Sequence, residues 1–289
     1  MNEGRKKAAA AIPGLSGFTE TLAVRVRALD PLEKLMDFLR RTPLSVVSFG
    51  AILLLWAAVV RLGVWSENVL PGPLAAARGM EELFRSGLLL KHTAASLFRV
   101  TAGFYLAVLL GVPAGIVLGY FALARRAVNP VIQFFRPISP LAWIPLAMLW
   151  FGIGDKPAIF LIFLASFFPL VVSTAAAVEN IGKTYFQVAA NFAFSRYEML
   201  SLLIFPAILP SVMVSLRISL GIAWLVVVAA EMIAVKSGLG FLIIDSRNAL
   251  RMDFVLDAMI LIGAIGVILD AVMLRLARSR EVLWGARGR

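Results

Sequence analysis

Val100-Thr-Ala-Gly-Phe-Tyr-Leu-Ala-Val-Leu-Leu-Gly-Val-Pro-Ala-Gly-Ile-Val-Leu-Gly-Tyr-Phe-Ala-Leu-Ala124 contains no charged residue. A helix needs about 20 apolar residues to cross the hydrocarbon core of a bilayer, and this run supplies them. Five further runs read the same way. Thr42–Val60 lies before it. Pro137–Gly154, extended back to Val131, and Pro157–Val178 lie after it. Val212–Ala234 holds Arg217 and Glu231, and Phe254–Leu274 has Asp257 near one end and Asp270 near the other. Met199–Leu216 is also uncharged, but Pro206 and Pro210 interrupt it, so it reads as a short helix entering the fifth span. The expectation is an all-α, polytopic helical membrane protein with about six transmembrane helices. Five or seven crossings also fit.

Composition points the same way. Of 289 residues, 61% are hydrophobic and 16% charged, against about half and about a quarter in soluble domains. There is no cysteine, which excludes disulfides and thiolate metal sites. His92 is the single histidine. The net charge of +11 sits mostly outside the apolar runs, which suits anionic headgroups rather than nucleic acid. Seventeen Lys and Arg fall on the side of the two termini and seven on the other. The positive-inside rule therefore predicts a multi-pass protein with both termini cytoplasmic. Residues 1–43 form a cytoplasmic N-terminal segment whose apolar stretch near Ala8–Ile12 is too short for a secretory signal. Within it, Asp30-Pro-Leu-Glu-Lys-Leu-Met-Asp-Phe-Leu-Arg-Arg41 suits a short amphipathic surface helix or, equally, a solvated charged one. Residues 44–91 hold the first transmembrane helix and an outer loop, 92–276 the core domain, and 277–289 a basic cytoplasmic tail.

Inside the second span Gly103, Ala107, Gly111, Gly115 and Gly119 recur every fourth residue. Small residues at this spacing admit a close helix partner. Four residues turn a helix by 400°, so the stripe winds and favours a crossed partner over a parallel one. Pro113, Pro137, Pro140, Pro145, Pro157 and Pro169 fall in or at the ends of spans and invite kinks. Charges inside spans say more, because they are expensive there. Arg217, Trp224 and Glu231 are seven apart, which places them on one helix face. At 1.5 Å per residue Arg217 and Glu231 are about 21 Å apart and cannot pair. This face suits protein or a wet cavity. Equally, Arg217 can snorkel and Glu231 can cap an outer loop. No Gly-rich phosphate loop, His-Glu-x-x-His pair or nucleophile elbow is present, so uphill work must draw on a partner or an ion gradient.

The longest inner loop, Glu179–Phe205, offers two short amphipathic helices at Lys183–Asn191 and Ser195–Ile204. Ser195 with Glu198 three residues on forms a capping box. With small alanines facing outward, such a pair could dock into a groove on a partner. Val188-Ala189-Ala190 and Ile204-Phe205-Pro206 resemble the two ends of the "EAA" loop in the membrane subunits of binding-protein-dependent ABC importers. Val188 stands where that pattern has glutamate, and no glycine follows. The nitrate and bicarbonate branch is similarly degenerate and has a pattern like Ser195-Arg196-Tyr197-Glu198. Further blocks resemble the nitrate/sulfonate/taurine/bicarbonate group: His92-Thr-Ala-Ala-Ser-Leu-Phe-Arg99, Arg136-Pro-Ile-Ser-Pro-Leu-Ala-Trp-Ile-Pro145, Leu149-Trp-Phe-Gly-Ile-Gly154, Leu216-Arg-Ile-Ser-Leu-Gly221, Ala229-Ala-Glu-Met232 and Gly238-Leu-Gly240. The resemblance spans about Pro71 to Leu274 and is specific in combination.

That resemblance implies a type I ABC importer transmembrane domain over 92–276, with its coupling loop at 179–205, in a bacterial inner membrane. It implies a pair of permease copies, cytoplasmic ABC ATPase subunits and a periplasmic or lipid-anchored solute-binding protein as partners. ATP and Mg would bind the partner ATPase and no cofactor this chain, which is then not itself an enzyme. Val188, Ala189, Ala190, Ser195, Arg196 and Glu198 would contact the ATPase. Arg136 and Trp143, with Arg217, Trp224 and Glu231, would line or brace the pathway. The solute class would be a small anion or a sulfonate. The competing expectation is an ion-coupled secondary transporter using Glu231 and Asp270.

Overall fold

The computed structural model of the chain describes residues 44–67 and 69–277. The expected surface helix within 30–41 and the tail from 278 lie outside the described residues. The chain divides into two compact units between Ser66 and Glu67. In the first, α1 (Leu44–Arg61) occupies the place of the expected first span. Its 18 residues rise about 27 Å, close to the hydrocarbon thickness of about 30 Å. Phe49, Ile52 and Leu54 are exposed along it, as side chains solvated by lipid would be.

In the second unit the regular elements described are again helices: α2 (Pro73–Arg85), α3 (Leu88–Tyr120), α4 (Ala122–Phe135), α5 (Ile144–Phe151), α6 (Asp155–Glu179) and α7 (Lys183–Asn191). They are followed by α8 (Arg196–Ala234), then α9 (Leu239–Asn248) and α10 (Met252–Ala277). Four of them, α3, α6, α8 and α10, are long and apolar enough to cross a membrane.

The third and fifth spans differ from expectation. No single helix covers Pro137–Gly154. Instead α4 and α5 meet at 83°, joined through a 3-10 turn at Pro140–Trp143. Pro137 and Pro140 lie in the break. Each lacks an N–H and disfavours helical backbone at the residue before it, and two so close together favour a break here. Conversely, Pro206 and Pro210 do not separate a short helix from the fifth span, because α8 runs through both for 39 residues. Met199–Ile204 is π-helical. That wider turn relieves the clash of a proline ring with the preceding carbonyls, and Pro206 then sits in the first turn of the regular α-segment, where its missing N–H matters least.

The glycine stripe of α3 packs on α6. A Cβ built on Gly103 would lie 2.7 Å from that of Ile162, one on Gly111 3.3 Å from that of Leu170, and those on Gly115 and Gly119 2.6 Å from those of Thr174 and Val178. The partner residue advances in step with the glycine, so the two helices run parallel over about 24 Å. A crossed partner was the expectation. It fails because α6 presents its contact residues at the same four-residue spacing, and the two winding stripes stay together. Parallel α3 and α6 also require the chain to return between them. The bent α4–α5 pair makes that return, and so serves as one broken span.

α8 runs antiparallel to α6. Val178, at the end of α6, clusters with Ile208 and Val212, while the Gly154 N–H donates to the Ala234 carbonyl at 3.3 Å. At the end opposite α7, α2 turns Ala76, Gly79 and Leu83 inward, and Leu83 clusters with Leu242 of α9 and Ala258 of α10.

Candidate functional site

Ser96 and Arg99 are three residues apart on α3, and His92 lies four before Ser96, so all three share one face. Glu231 approaches this face near the end of α8. It is 0% exposed and Arg99 is 2% exposed. Arg99 Nη1 donates to Glu231 Oε1 at 2.6 Å, and Ser96 Oγ donates to Oε2 at 2.8 Å. The Gly240 N–H donates to the same Oε2 at 3.0 Å. Arg99 Nε donates to Asp155 Oδ1 at 2.8 Å, and Nη1 also reaches the Ser237 carbonyl at 2.8 Å. Arg99 Nη2 donates to Ser237 Oγ. Ser96 Oγ accepts from the Leu239 N–H at 2.9 Å, and His92 Nδ1 accepts from the Gly238 N–H at 3.0 Å. Gly238 has φ +105°, and a Cβ there would collide with the Glu231 carboxyl. The segment between α8 and α9 can therefore wrap the carboxylate only with glycine at this position.

The network ties α3, the start of α6, the end of α8 and the start of α9 into one body. Its donors and acceptors saturate one another, as buried charges require. Ser96 Oγ and the Glu231 carboxylate are both buried and both engaged in structural hydrogen bonds, so the arrangement acts as a clamp. Beside it an open cavity of about 450 Å³ is lined by Arg99, Gly154, Asp155, Lys236 and Ser237 among others.

The three residues expected on one face of α8 divide between two neighbours. Glu231 faces α3, as above. Trp224 Nε1 donates to the Ile262 carbonyl of α10 at 3.0 Å. Arg217 makes a two-pronged pair with Asp270 of α10, at 2.6 and 2.7 Å. Both carboxylates of the ion-coupled reading are thus committed to arginines. Trp143 packs with Ile144, Val226 and Ala230, whereas Trp224 belongs to a separate cluster with Val100 and Ile265. Arg136 is exposed at the end of α4. The structure therefore does not gather the five pathway candidates into one site. The Arg217–Asp270 pair allows a test. Removing one partner leaves an unpaired charge on an apolar span, whereas removing both leaves none. Asp270→Asn is expected to lower the thermal midpoint in detergent more than the double change Arg217→Leu with Asp270→Leu.

At the opposite end, α7 matches the expected Lys183–Asn191 helix. The capping box is formed. The Ser195 N–H donates to Glu198 Oε2 at 2.8 Å and the Glu198 N–H to Ser195 Oγ at 3.3 Å. The helix it starts is fused into α8 rather than standing alone. Ser195, Arg196 and Glu198 are exposed, as are Val188 and Ala190. Ala189 is 3% exposed and faces inward, so the alanine pair does not point outward together. The exposed apolar side chains here are larger: Tyr185, Val188, Phe192 and Tyr197. Arg125 pairs with Glu179 at 2.6 Å and anchors the end of α6 to α4.

Sequence reasoning missed Arg99 and Ser96 as partners of Glu231, and Asp155 and Ser237 as partners of Arg99. The 92, 96, 99 spacing was the available signal. Three of the quoted blocks, around Arg99, Glu231 and Gly238, meet in this one network.

The family model described as binding-protein-dependent transport system inner membrane component matches residues 107–282. The chain is 35% identical to the taurine transport system permease protein TauC of Escherichia coli (strain K12), over 85% of this chain and 90% of that one. It is 34% identical to the putative aliphatic sulfonates transport permease protein SsuC of Bacillus subtilis (strain 168), over 81% and 85% respectively. A structure of the MetNI methionine ABC transporter in an inward-facing conformation aligns with a TM-score of 0.59 at 16% identity, covering 66% of this chain and 95% of that one.

Proposed function

Because this chain belongs to the family of binding-protein-dependent transport system inner membrane components, we propose that it is the membrane-spanning subunit through which an ATP-driven importer takes up a small anion of the sulfonate type. The solute class rests on the relatives named for taurine and aliphatic sulfonates. Two copies form the pathway between them in a bacterial inner membrane. Both termini are cytoplasmic, so α7 faces the cytoplasm and the Arg99–Glu231 network the outside. A binding protein delivers solute to that outer end. ATP and Mg bind a separate cytoplasmic ATPase.

The observation that carries this reading is the segment from α7 to the start of α8. A charged end of a membrane bundle has no reason to expose Tyr185, Val188, Phe192 and Tyr197 together unless another protein covers them. The capping box holds the second half of the segment in a fixed direction, so that pushing on it moves α8. Ala189 is buried and supports the segment, while Val188, Ala190, Ser195, Arg196 and Glu198 form the contact.

Val188→Glu with Ala190→Glu is expected to abolish co-purification of the ATPase while leaving the permease folded. Association that survives unchanged removes these residues from the coupling role. Uptake that persists after the ATPase is stripped away would refute the ATP-driven reading itself.

A further inference from the structure

Asp257 lies in the second turn of α10 and is 1% exposed. Neither carboxyl oxygen has a hydrogen-bond partner among the described residues. Its nearest cover is α2. A Cβ built on Gly79 would collide with Asp257 Oδ2, and it would lie 3.2 Å from Asp253 Oδ2. The helix α2 can therefore seat on this carboxyl only with glycine at 79.

The charged groups around Asp257 are few. Among the described residues Arg251, in the turn before α10, is the cation at this corner, and it is already shared; Arg78, beside Gly79, is exposed. It pairs with Asp253 of α10 and with Glu82 of α2, each at 2.8 Å, and it stacks on the Phe254 ring at 3.8 Å. The Arg251 guanidinium holds the Glu82 carboxyl below its usual range. The apolar cluster of Leu83 and Ala258, next to Asp257 in α10, adds Leu242 and Ile243 from α9 and Leu89 from α3; these offer no charge. An ionised carboxylate buried without a partner costs several kcal/mol. A neutral one costs far less.

We propose that Asp257 is a proton-binding site, and that the bound proton holds α2 down on α10. When Asp257 loses the proton, the carboxylate must reach water, and the shortest way is for α2 to lift at Gly79. The same lift exposes Ala76 and Leu83, which share the buried face of α2. This assignment is independent of the transport reading above.

The absence of cysteine makes the test direct. Ala76→Cys places one small thiol on the buried face, and Leu74→Cys, at a site 66% exposed, places one on the open face of the same helix. Each full-length protein is put in nanodiscs and labelled with a polar maleimide between about pH 5 and about pH 9. Taking the ratio of the two rates removes the thiol's own ionisation. The ratio is expected to be low in acid and to rise about tenfold or more toward alkaline pH, given the cost of the buried carboxylate. With Asp257→Asn, and separately with Asp257→Leu, it is expected to stay low throughout. A ratio independent of pH in the Asp257 protein overturns the proposal, as does a rise that persists in both variants. Replacing sodium and potassium by choline at fixed pH is expected to change nothing. A ratio that follows the metal cation instead assigns the carboxyl to a cation and overturns the proton.

Discussion

Glu231→Ala is expected to destabilise the protein by about 3–5 kcal/mol, because it leaves a buried arginine short of its buried counter-charge. Arg99 is 2% exposed, and Asp155 and Ser237 hold its other nitrogens in place. Asp155 stays beside it, but Asp155 is about half exposed and its charge is correspondingly screened. The Gly240 N–H and Ser96 Oγ lose their acceptor in the same step, and each unsatisfied buried group adds its own desolvation cost. Thermal unfolding in detergent reads the effect. The double change Glu231→Leu with Arg99→Met removes both charges and is expected to recover much of the loss. If the double variant is no better than the single, the cost lies in packing and the electrostatic account fails.

Gly115→Leu is expected to cost about 3 kcal/mol or more, the upper end for overpacking an interface that cannot relax. Even the first added carbon would lie 2.6 Å from Thr174 Cβ and 2.8 Å from the Val171 carbonyl oxygen. The second of these is backbone and can yield only if α3 and α6 separate. Since Gly103 and Gly119 meet α6 just as closely, separation at one point loosens the whole parallel contact. Gly263→Ala is the matched control. Nothing lies within 4 Å of a Cβ there, and alanine in a helix interior is favoured over glycine by about 1 kcal/mol. Expression and thermal midpoint should therefore fall for the first and hold for the second. Equal losses would mean that glycine acts through the helix backbone and not through the interface.

The spans themselves were legible because the signal is local. Val100–Ala124 and Pro157–Val178 are uncharged; the second falls within α6, and the first runs along α3 and past Phe121 into the start of α4. The break after α4 was half legible. Pro137 and Pro140 announce an interruption, but the 83° turn depends on what α5 packs against. Pro206 and Pro210 misled for the converse reason: a π-helical stretch before Pro206 relieves it, and the α-segment simply continues through Pro210. The site was the least legible part. Glu231 stands out as a charge in an apolar run, whereas its partner Arg99 lies just outside one, before Val100. Their pairing is a long-range fact. It follows from α3 and α8 meeting at one end of the bundle, which no local pattern encodes.

The distance in sequence between those two residues bears on how the chain is made. Arg99 leaves the ribosome 132 residues ahead of Glu231. At about 5–20 residues per second, that is a wait of about 7–26 s. Over that interval α3 carries a cation that lipid does not accept. Asp155 follows Arg99 by 56 residues and gives it a first counter-charge as α6 arrives along the glycine stripe. Only the end of α8 completes the arrangement. The early helices are therefore expected to be held less firmly until the later ones are synthesised. A chain cut short before Glu231 should be degraded even though most of its spans are present.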